Sequence, residues 1–322
     1  MKKIFTLIAL LLTATIFSAC GNDKPAQVGK VKVIATIFPV YDWTREIVGT
    51  DKNFDVTLLT DKGVDLHSFQ PSVEDIRKIS ECDVFIYVGG ESDEWVDDAL
   101  KNAANKNMVV VNLIDVLGDN VKHEEHIEGM EVEHAHKHDE HDHDHDDELE
   151  DDEHIWLSLK NAQILCDAIT DALAKAAPAQ TDTLKKNSAA YKDKLAALEK
   201  NYRDALNAAQ GKTLLFGDRF PFRYLVDDYG LKYFAAFSGC SAESEASFQT
   251  ITFLAGKVDE LKLPCVMTIE GTNHKIAETI IANTAAKNQK ILVLNSIQGK
   301  VDGETYLSIM AKNLDVLREA LK

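Results

Sequence analysis

The sequence predicts an α/β fold of two lobes, each with a four-stranded parallel sheet flanked by helices, joined by one long connecting helix. Eight short apolar runs, rich in valine and isoleucine, fall four in each half of the chain. They are near-continuous and not alternating, as expected of parallel strands covered on both faces, and helical stretches lie between most of them. The runs are 31–36, 54–60, 82–89 and 108–115, then 213–217, 231–237, 264–270 and 290–297.

The N-terminal segment has the layout of a secretory signal. Two lysines precede the apolar stretch 4–17, which is too short for a confident membrane span. The small residues that follow end at Cys20 and resemble a bacterial lipobox, in which this cysteine becomes the lipidated first residue. We therefore expect a signal peptide over 1–19, a lipidated tether over 20–30, and an extracytoplasmic protein anchored to the membrane through Cys20.

The first lobe is predicted over 31–177. Within it, Ser72 and Asp75 are placed as a capping pair for a helix over 72–80, and a second helix is expected over 161–176.

A long helix over 181–209 is predicted by apolar residues that recur every three or four positions; at 1.5 Å per residue it spans about 43 Å. It dominates a connecting segment over 178–210, and the second lobe follows over 211–322.

Histidine is concentrated in one acidic tract. Nine of the eleven histidines fall between 123 and 154. The same stretch contains sixteen aspartates and glutamates but a single lysine, so it carries fifteen of the eighteen net negative charges. Imidazole and carboxylate together suit a transition metal, and the acidity excludes nucleic-acid binding. We expect the loop 123–153 to bind metal weakly, through His123, His126, His134, His136, His138, His141, His143 and His145.

Four further cysteines show no CxxC spacing, which excludes a zinc finger. Cys82, Cys166 and Cys265 lie on apolar strands or a helix face and are expected to be buried. Cys240 differs, because it lies in a polar loop.

Two segments resemble a known family. GVDLHSFQPSVEDIRKISECDVFIYVGGESDEW (63–95) and DDEHIWLSLKNAQILCDAI (151–169) resemble the two N-terminal ligand segments of the substrate-binding lipoproteins of zinc and manganese ABC transporters. The resemblance implies that His67 and His154 bind the metal. An acidic, histidine-rich loop just upstream of the second ligand is typical of the zinc branch of that family.

The C-terminal ligands depart from the family pattern. Arg219 stands where a histidine or glutamate is usual, and a guanidinium cannot bind a metal. The resemblance points instead to His274 and, as a carboxylate, Glu243. The candidate ligands that remain open are Asp218, Cys240, Glu245 and Asn273.

The implied function is capture of Zn²⁺ in a cleft between the lobes and its delivery to an ABC transporter permease by a monomeric protein. The histidine tract would collect zinc near the cleft. The chain is not expected to be an enzyme, because no HExxH or comparable helix pair occurs. Two rival functions are a manganese- or iron-binding member of the same family, and a surface metal buffer or adhesin.

Overall fold

Two parallel sheets of identical strand order form the framework of the molecule. The computed structural model describes residues 29–60, 66–131, 150–241, 245–299 and 302–322. The first sheet has the order β2-β1-β3-β4 and the second β6-β5-β7-β8, and all strand pairs are parallel. The strands are β1 (Val31–Ala35), β2 (Phe54–Leu58), β3 (Val84–Tyr87), β4 (Val109–Asn112), β5 (Thr213–Arg219), β6 (Lys232–Phe237), β7 (Cys265–Ile269) and β8 (Lys290–Leu294). The predicted fold class is confirmed.

Every predicted strand is present, and most are shorter than their apolar runs. The run 108–115 shows why. Its strand ends at Asn112, whose Oδ1 accepts the backbone N–H groups of Ile114 and Asp115 and so caps a helix that the run was not expected to contain. An apolar run alone does not distinguish the end of a buried strand from the start of a buried helix.

Ten helices cover the two sheets within the described residues. They are α1 (Phe38–Val48), α2 (Val73–Glu81), α3 (Trp95–Lys101), α4 (Leu113–Leu117), α5 (Leu159–Ala176), α6 (Thr181–Ala208), α7 (Arg223–Tyr229), α8 (Phe248–Leu261), α9 (Lys275–Ala282) and α10 (Tyr306–Ala320). The capping pair predicted for α2 is present: the Ser72 side chain accepts the Asp75 N–H, and the Asp75 carboxylate accepts the Ser72 N–H. None of these helices is long and apolar enough to cross a membrane.

The long connecting helix is α6, and it lies within one residue of its predicted bounds. Its buried side chains recur every three or four positions, with Glu199 buried in place of the predicted Leu198, and the helix packs against α1, α5 and α10. Near its C-terminal end, the Tyr202 hydroxyl donates to the Met310 carbonyl of α10 at 2.6 Å. The helix therefore packs against elements from both halves of the chain.

Both ends of the histidine-rich loop are ordered against the body of the protein. His123 and Asp151 form an antiparallel bridge, Met130 is buried, and the Glu131 N–H donates to the Ala236 carbonyl. The lack of an apolar run in 123–153 predicts a tract that is disordered without metal. Its ends, 123–131 and 150–153, are structured instead, so this prediction is wrong for them. Residues 132–149, with six of the eight tract histidines, lie outside the described residues, as do Cys20 and the predicted signal sequence.

Cys82, Cys166 and Cys265 are buried as expected, and Cys240 is partly exposed. Because the strands of each sheet are parallel, the loops after their carboxyl ends gather at one edge, where α/β proteins bind ligands. His67 follows β2, and Cys240 follows β6.

Candidate metal site

His67 lies in a short 3₁₀ turn, Leu66–Ser68, directly before the α2 segment. Its side chain is 11% exposed, and its Nδ1 lies 2.8 Å from Ser92 Oγ and 3.4 Å from Glu153 Oε2. Two oxygen groups therefore hold one ring nitrogen, and the other nitrogen, Nε2, lies 3.2 Å from His154 Nε2. Such contacts fix the orientation of metal-binding imidazoles.

His154 is fully buried directly before a short 3₁₀ turn, Ile155–Leu157, which leads into α5. Its Nδ1 lies 3.0 Å from Asp152 Oδ1, and the same oxygen accepts the His154 backbone N–H at 2.8 Å. Because a carboxylate only accepts hydrogen bonds, Nδ1 carries the proton, and Nε2 keeps its lone pair. Asp152 thus orients the ring and fixes its tautomer.

The two Nε2 atoms converge to 3.2 Å. Two nitrogens bound at about 2.0–2.1 Å to one tetrahedral zinc stand roughly 3.3 Å apart. The observed spacing therefore fits two histidines that share a single ion, with little movement needed.

Cys240 completes the candidate site. The ligand atoms of His67, His154 and Cys240 lie within 4.8 Å of one another, and they are the sole such group of three found among the described residues. Burial, and then the nearby Glu124 carboxylate, raise the pKa of the Cys240 thiol far above its usual range. Without a cation the sulfur is therefore a neutral thiol, and it must lose its proton to bind a metal.

Gly239 lets the cysteine loop approach His154 closely. A Cβ at this position would lie 3.1 Å from His154 Cε1 and 3.0 Å from the Phe220 carbonyl oxygen. Both distances are tighter than ordinary van der Waals contact, so a glycine suits the close approach of the loop.

Gln298 was not anticipated from the sequence. Its Nε2 lies 3.2 Å from His154 Nε2, and Arg219 Nη2 lies 3.4 Å from its Oε1. The preceding residue, Ile297, has a φ of 59°, which is rare for a β-branched side chain. Glu270 holds this loop by accepting both the N–H and the hydroxyl of Ser296. A firmly held, unusual backbone therefore places the amide against Nε2 of His154.

A buried carboxylate supports the His67 side of the site. Burial raises the pKa of Glu153 to about 7, while its Oε1 accepts the Ser92 N–H at 2.7 Å. Gly90, at a φ of 81°, leaves room for this carboxylate, because a Cβ there would lie 2.4 Å from Glu153 Oε1. The Ser92 hydroxyl therefore lies within hydrogen-bond distance of His67 Nδ1, and the Glu153 carboxylate lies just beyond it.

The structure brings His67 and His154 together and places His274 elsewhere. His274 is the N-cap residue of α9, with a φ of 56°, and it does not belong to the three-residue group. It lines a cavity whose wall includes Ser68 and Ser241 but none of the three residues. Glu243 lies outside the described residues. The roles assigned to His274 and Glu243 stay predictions.

Asp218, Asn273 and Glu245 also lie outside the three-residue group. Asp218 accepts the backbone N–H groups of Arg219 and Ile269, Asn273 accepts that of Lys275, and Glu245 is exposed. In the tract, the His123 side chain is 61% exposed and lies 3.0 Å from Asp151, and His126 is exposed. Of the four candidate ligands that the sequence leaves open in the second lobe, Cys240 is the one that joins the two histidines.

The chain is similar to known proteins along almost its whole length. The family model described as zinc-uptake complex component A, periplasmic, matches residues 33–320. The zinc-binding protein AdcA of Streptococcus pyogenes serotype M3 is 33% identical over 98% of the chain, which spans 61% of that relative's length. The high-affinity zinc uptake system protein ZnuA of Bacillus subtilis is 31% identical over 99% of the chain and 98% of its own length. The crystal structure of the Zn(II)-bound ZnuA-like domain of Streptococcus pneumoniae AdcA superposes with a TM-score of 0.69 at 28% identity, over 91% of this chain and 99% of that one.

Proposed function

The chain belongs to the family of periplasmic zinc-uptake components, and on this premise we propose that it captures Zn²⁺ between its lobes and delivers the ion to the permease of an ABC transporter. The observation that carries the proposal is the convergence of the His67 and His154 Nε2 atoms to 3.2 Å beside Cys240. The name of the Bacillus subtilis relative, a high-affinity zinc uptake protein, supports the same function.

The donor set favours zinc over manganese. Two imidazole nitrogens and a thiolate are borderline-soft and soft ligands, whereas manganese prefers carboxylate and other oxygen donors. We propose His67, His154 and Cys240 as protein ligands, with Asp152, Glu153 and Ser92 holding the two imidazoles.

Capture joins the two lobes. His67 belongs to the loop after β2, and Cys240 to the loop after β6, so an ion bound by both residues links the two sheets. Entry of the ion requires the Gln298 amide to release His154 Nε2, and it displaces the proton of the Cys240 thiol. Release to the permease then requires the Cys240 loop to separate from the two histidines.

We further propose that the protein acts outside the cytoplasm as a monomer, held at the membrane by a lipid on Cys20. The lipobox-like sequence supports this location, and curated relatives from Streptococcus pneumoniae are named zinc-binding lipoproteins. The tract would collect zinc at low affinity near the cleft.

The test is a competition titration of zinc against a chromophoric chelator, on protein purified without chelators. We expect one tightly bound zinc per chain. The binding free energy of such a zinc is on the order of 10 kcal/mol and is shared among about four ligands. His67→Ala removes one ligand and should therefore weaken zinc binding roughly a hundredfold.

His126→Ala is the matched control, because it removes an exposed histidine outside the three-residue group and should leave the tight zinc unchanged. Equal affinity in the wild type and in His67→Ala would overturn the proposed site.

A further inference from the structure

The two structured ends of the histidine-rich tract, 122–131 and 150–153, pair with each other in a short ribbon, which we call the tract base. His123 and Asp151 form its antiparallel bridge, and backbone hydrogen bonds of 2.8 and 2.7 Å flank the bridge on either side. The two ends are therefore held in a fixed register against each other, although 18 residues separate them in the chain.

Side chains of the second lobe hold the tract base. The Tyr224 hydroxyl of α7 accepts the Lys122 N–H at 3.1 Å and donates to the Asp152 carbonyl at 2.7 Å, so it contacts both ends of the ribbon. Arg223, also in α7, pairs with Glu125 at 3.0 Å. The tract base precedes α5 in the chain, yet it is attached to the lobe that supplies the cysteine ligand.

Each end of the tract base contacts one of the proposed ligands. At the first end, the Glu124 carboxylate accepts the Cys240 backbone N–H at 2.9 Å. At the second end, the Asp152 carboxylate accepts the His154 backbone N–H at 2.8 Å and lies 3.0 Å from His154 Nδ1. One ribbon therefore positions a ligand that follows β6 and a ligand that precedes α5.

A second contact holds the same part of the second lobe. The Glu131 N–H donates to the Ala236 carbonyl of β6 at 2.9 Å, and the Glu131 carboxylate accepts the N–H of Ser247, the N-cap residue of α8. Cys240 lies between Ala236 and Ser247 in the chain. The tract base therefore contacts the segment that carries this ligand at the ligand itself and on both sides of it.

Glu124 is held close to the ligands, unlike a solvated side chain of the tract. It is partly buried, and it lines a cavity of about 10 Å³ together with Asp152 and Gly239. Such a cavity has room for at most about one water molecule, so no large solvent-filled space separates the carboxylate from the Cys240 loop. Glu124 is not a member of the three-residue group of ligand atoms, and its printed contact with the site is to the Cys240 backbone.

We propose that Glu124 is a positioning residue of the zinc site, which acts through Cys240 and binds no metal itself. Its carboxylate holds the Cys240 backbone so that the sulfur stays beside the two imidazoles. A ligand that is in place before the ion arrives loses less conformational freedom on binding, which raises the affinity. This inference rests on the proposed zinc capture with Cys240 as a ligand, and it adds a residue outside the ligand set.

The experiment is a competition titration of zinc on the full chain. Glu124→Ala should weaken zinc binding about tenfold, because the Cys240 loop loses a charge-assisted hydrogen bond. Glu124→Gln should stay within about threefold of the wild type, because the amide keeps an oxygen that accepts the same N–H. Glu128→Ala removes an exposed carboxylate of the tract base and is the matched control, which should keep the wild-type affinity.

A double-mutant cycle separates positioning from a general loss of structure. In a Cys240→Ala background there is no sulfur to hold, so the addition of Glu124→Ala should change zinc affinity by less than about twofold. Damage to the whole tract base would also displace Asp152 and the His154 ring, and a tenfold loss would then persist without the sulfur.

The outcomes separate this inference from the proposed function. Wild-type affinity in Glu124→Ala, or a loss that persists in the Cys240→Ala background, overturns the positioning role and leaves zinc capture standing. Equal losses in Glu124→Ala and Glu124→Gln would show that the charge matters and not the hydrogen bond, and they also overturn it. Unchanged affinity in Cys240→Ala alone removes the sulfur from the ligand set and this inference with it. Absence of tight zinc from the wild type overturns the proposed function itself.

Discussion

Replacement of the Cys240 sulfur by oxygen is the sharpest test of the ligand set. Cys240→Ser keeps the shape of the side chain and removes the thiolate, because a serine hydroxyl does not ionise at neutral pH. The backbone contact of the loop, a 2.9 Å hydrogen bond from the Cys240 N–H to Glu124, does not depend on the sulfur. The loop should therefore stay in place while the donor is lost.

The expected loss follows from the number of ligands. Structural zinc sites bind with about 10–16 kcal/mol, so one of four comparable ligands accounts for roughly 2.5–4 kcal/mol. At about 1.4 kcal/mol for each factor of ten, zinc affinity should fall about 60- to 700-fold. If Cys240 is no ligand, the change should stay within about threefold.

Proton release gives a second and independent readout. Burial raises the pKa of the Cys240 thiol, so the metal-free protein holds this proton at neutral pH and must release it when zinc binds. Zinc affinity of the wild type should therefore fall as the pH falls. For each pH unit, it should fall by about a factor of ten more than the affinity of Cys240→Ser does.

The assay is a competition titration at three pH values, with cobalt substitution to observe sulfur-to-metal charge transfer directly. Cys166→Ala, which removes a buried thiol outside the site, is the control and should keep both the affinity and the charge-transfer band. An unchanged affinity in Cys240→Ser, or a wild-type cobalt spectrum without a sulfur band, would refute the thiolate.

Further expectations concern the site, the loop and the core. Gly239→Ala should weaken zinc binding at least about tenfold in the same titration, because the added Cβ would crowd the His154 ring and the Phe220 carbonyl oxygen. Gln298→Glu, with a carboxylate in place of the amide, should bind manganese more tightly relative to zinc than the wild type does, as measured by competition between the two ions. Deletion of 132–149 should lower the number of weakly bound zinc ions in equilibrium dialysis and leave the tight one; loss of the tight ion would support a metal buffer instead. Burial raises the pKa of Asp42 to about 6 from 3.8, so its charge opposes folding above that pH; Asp42→Asn should add about 1–3 kcal/mol to the unfolding free energy at pH 7 and almost nothing near pH 4, by denaturant titration.

The fold could be predicted because its signals are local. Apolar runs locate the eight strands, Ser72 and Asp75 mark the start of α2, and the spacing of apolar residues gives α6 within one residue. Strand ends were less certain, because Asn112 turns an apolar run from a strand into a helix. The Asn112 side chain caps the helix only in the folded backbone, so the sequence alone does not show where the strand ends.

The site could be predicted only in part, because its members come from loops far apart in the chain. His67 and His154 stand in segments whose neighbouring residues resemble a known family. Its polar loop made Cys240 one open candidate among several, and nothing local marks Gln298. Both reach the site because β6 and β8 end at the same edge of one sheet. The left-handed Ile297 that directs Gln298 leaves no recognisable pattern in the sequence either.

Burial, and not the pairing of histidine with aspartate, separates the proposed tight site from the tract. His123 Nδ1 lies 3.0 Å from an Asp151 oxygen, and His154 Nδ1 lies 3.0 Å from an oxygen of the next residue, Asp152. The His123 side chain is 61% exposed, however, whereas that of His154 is fully buried and faces a second imidazole at 3.2 Å. An exposed imidazole keeps its freedom and its water, so a metal must both order and desolvate it, and a buried, oriented pair has met those costs during folding. The same residue types are therefore expected to bind zinc weakly in the tract and tightly in the cleft.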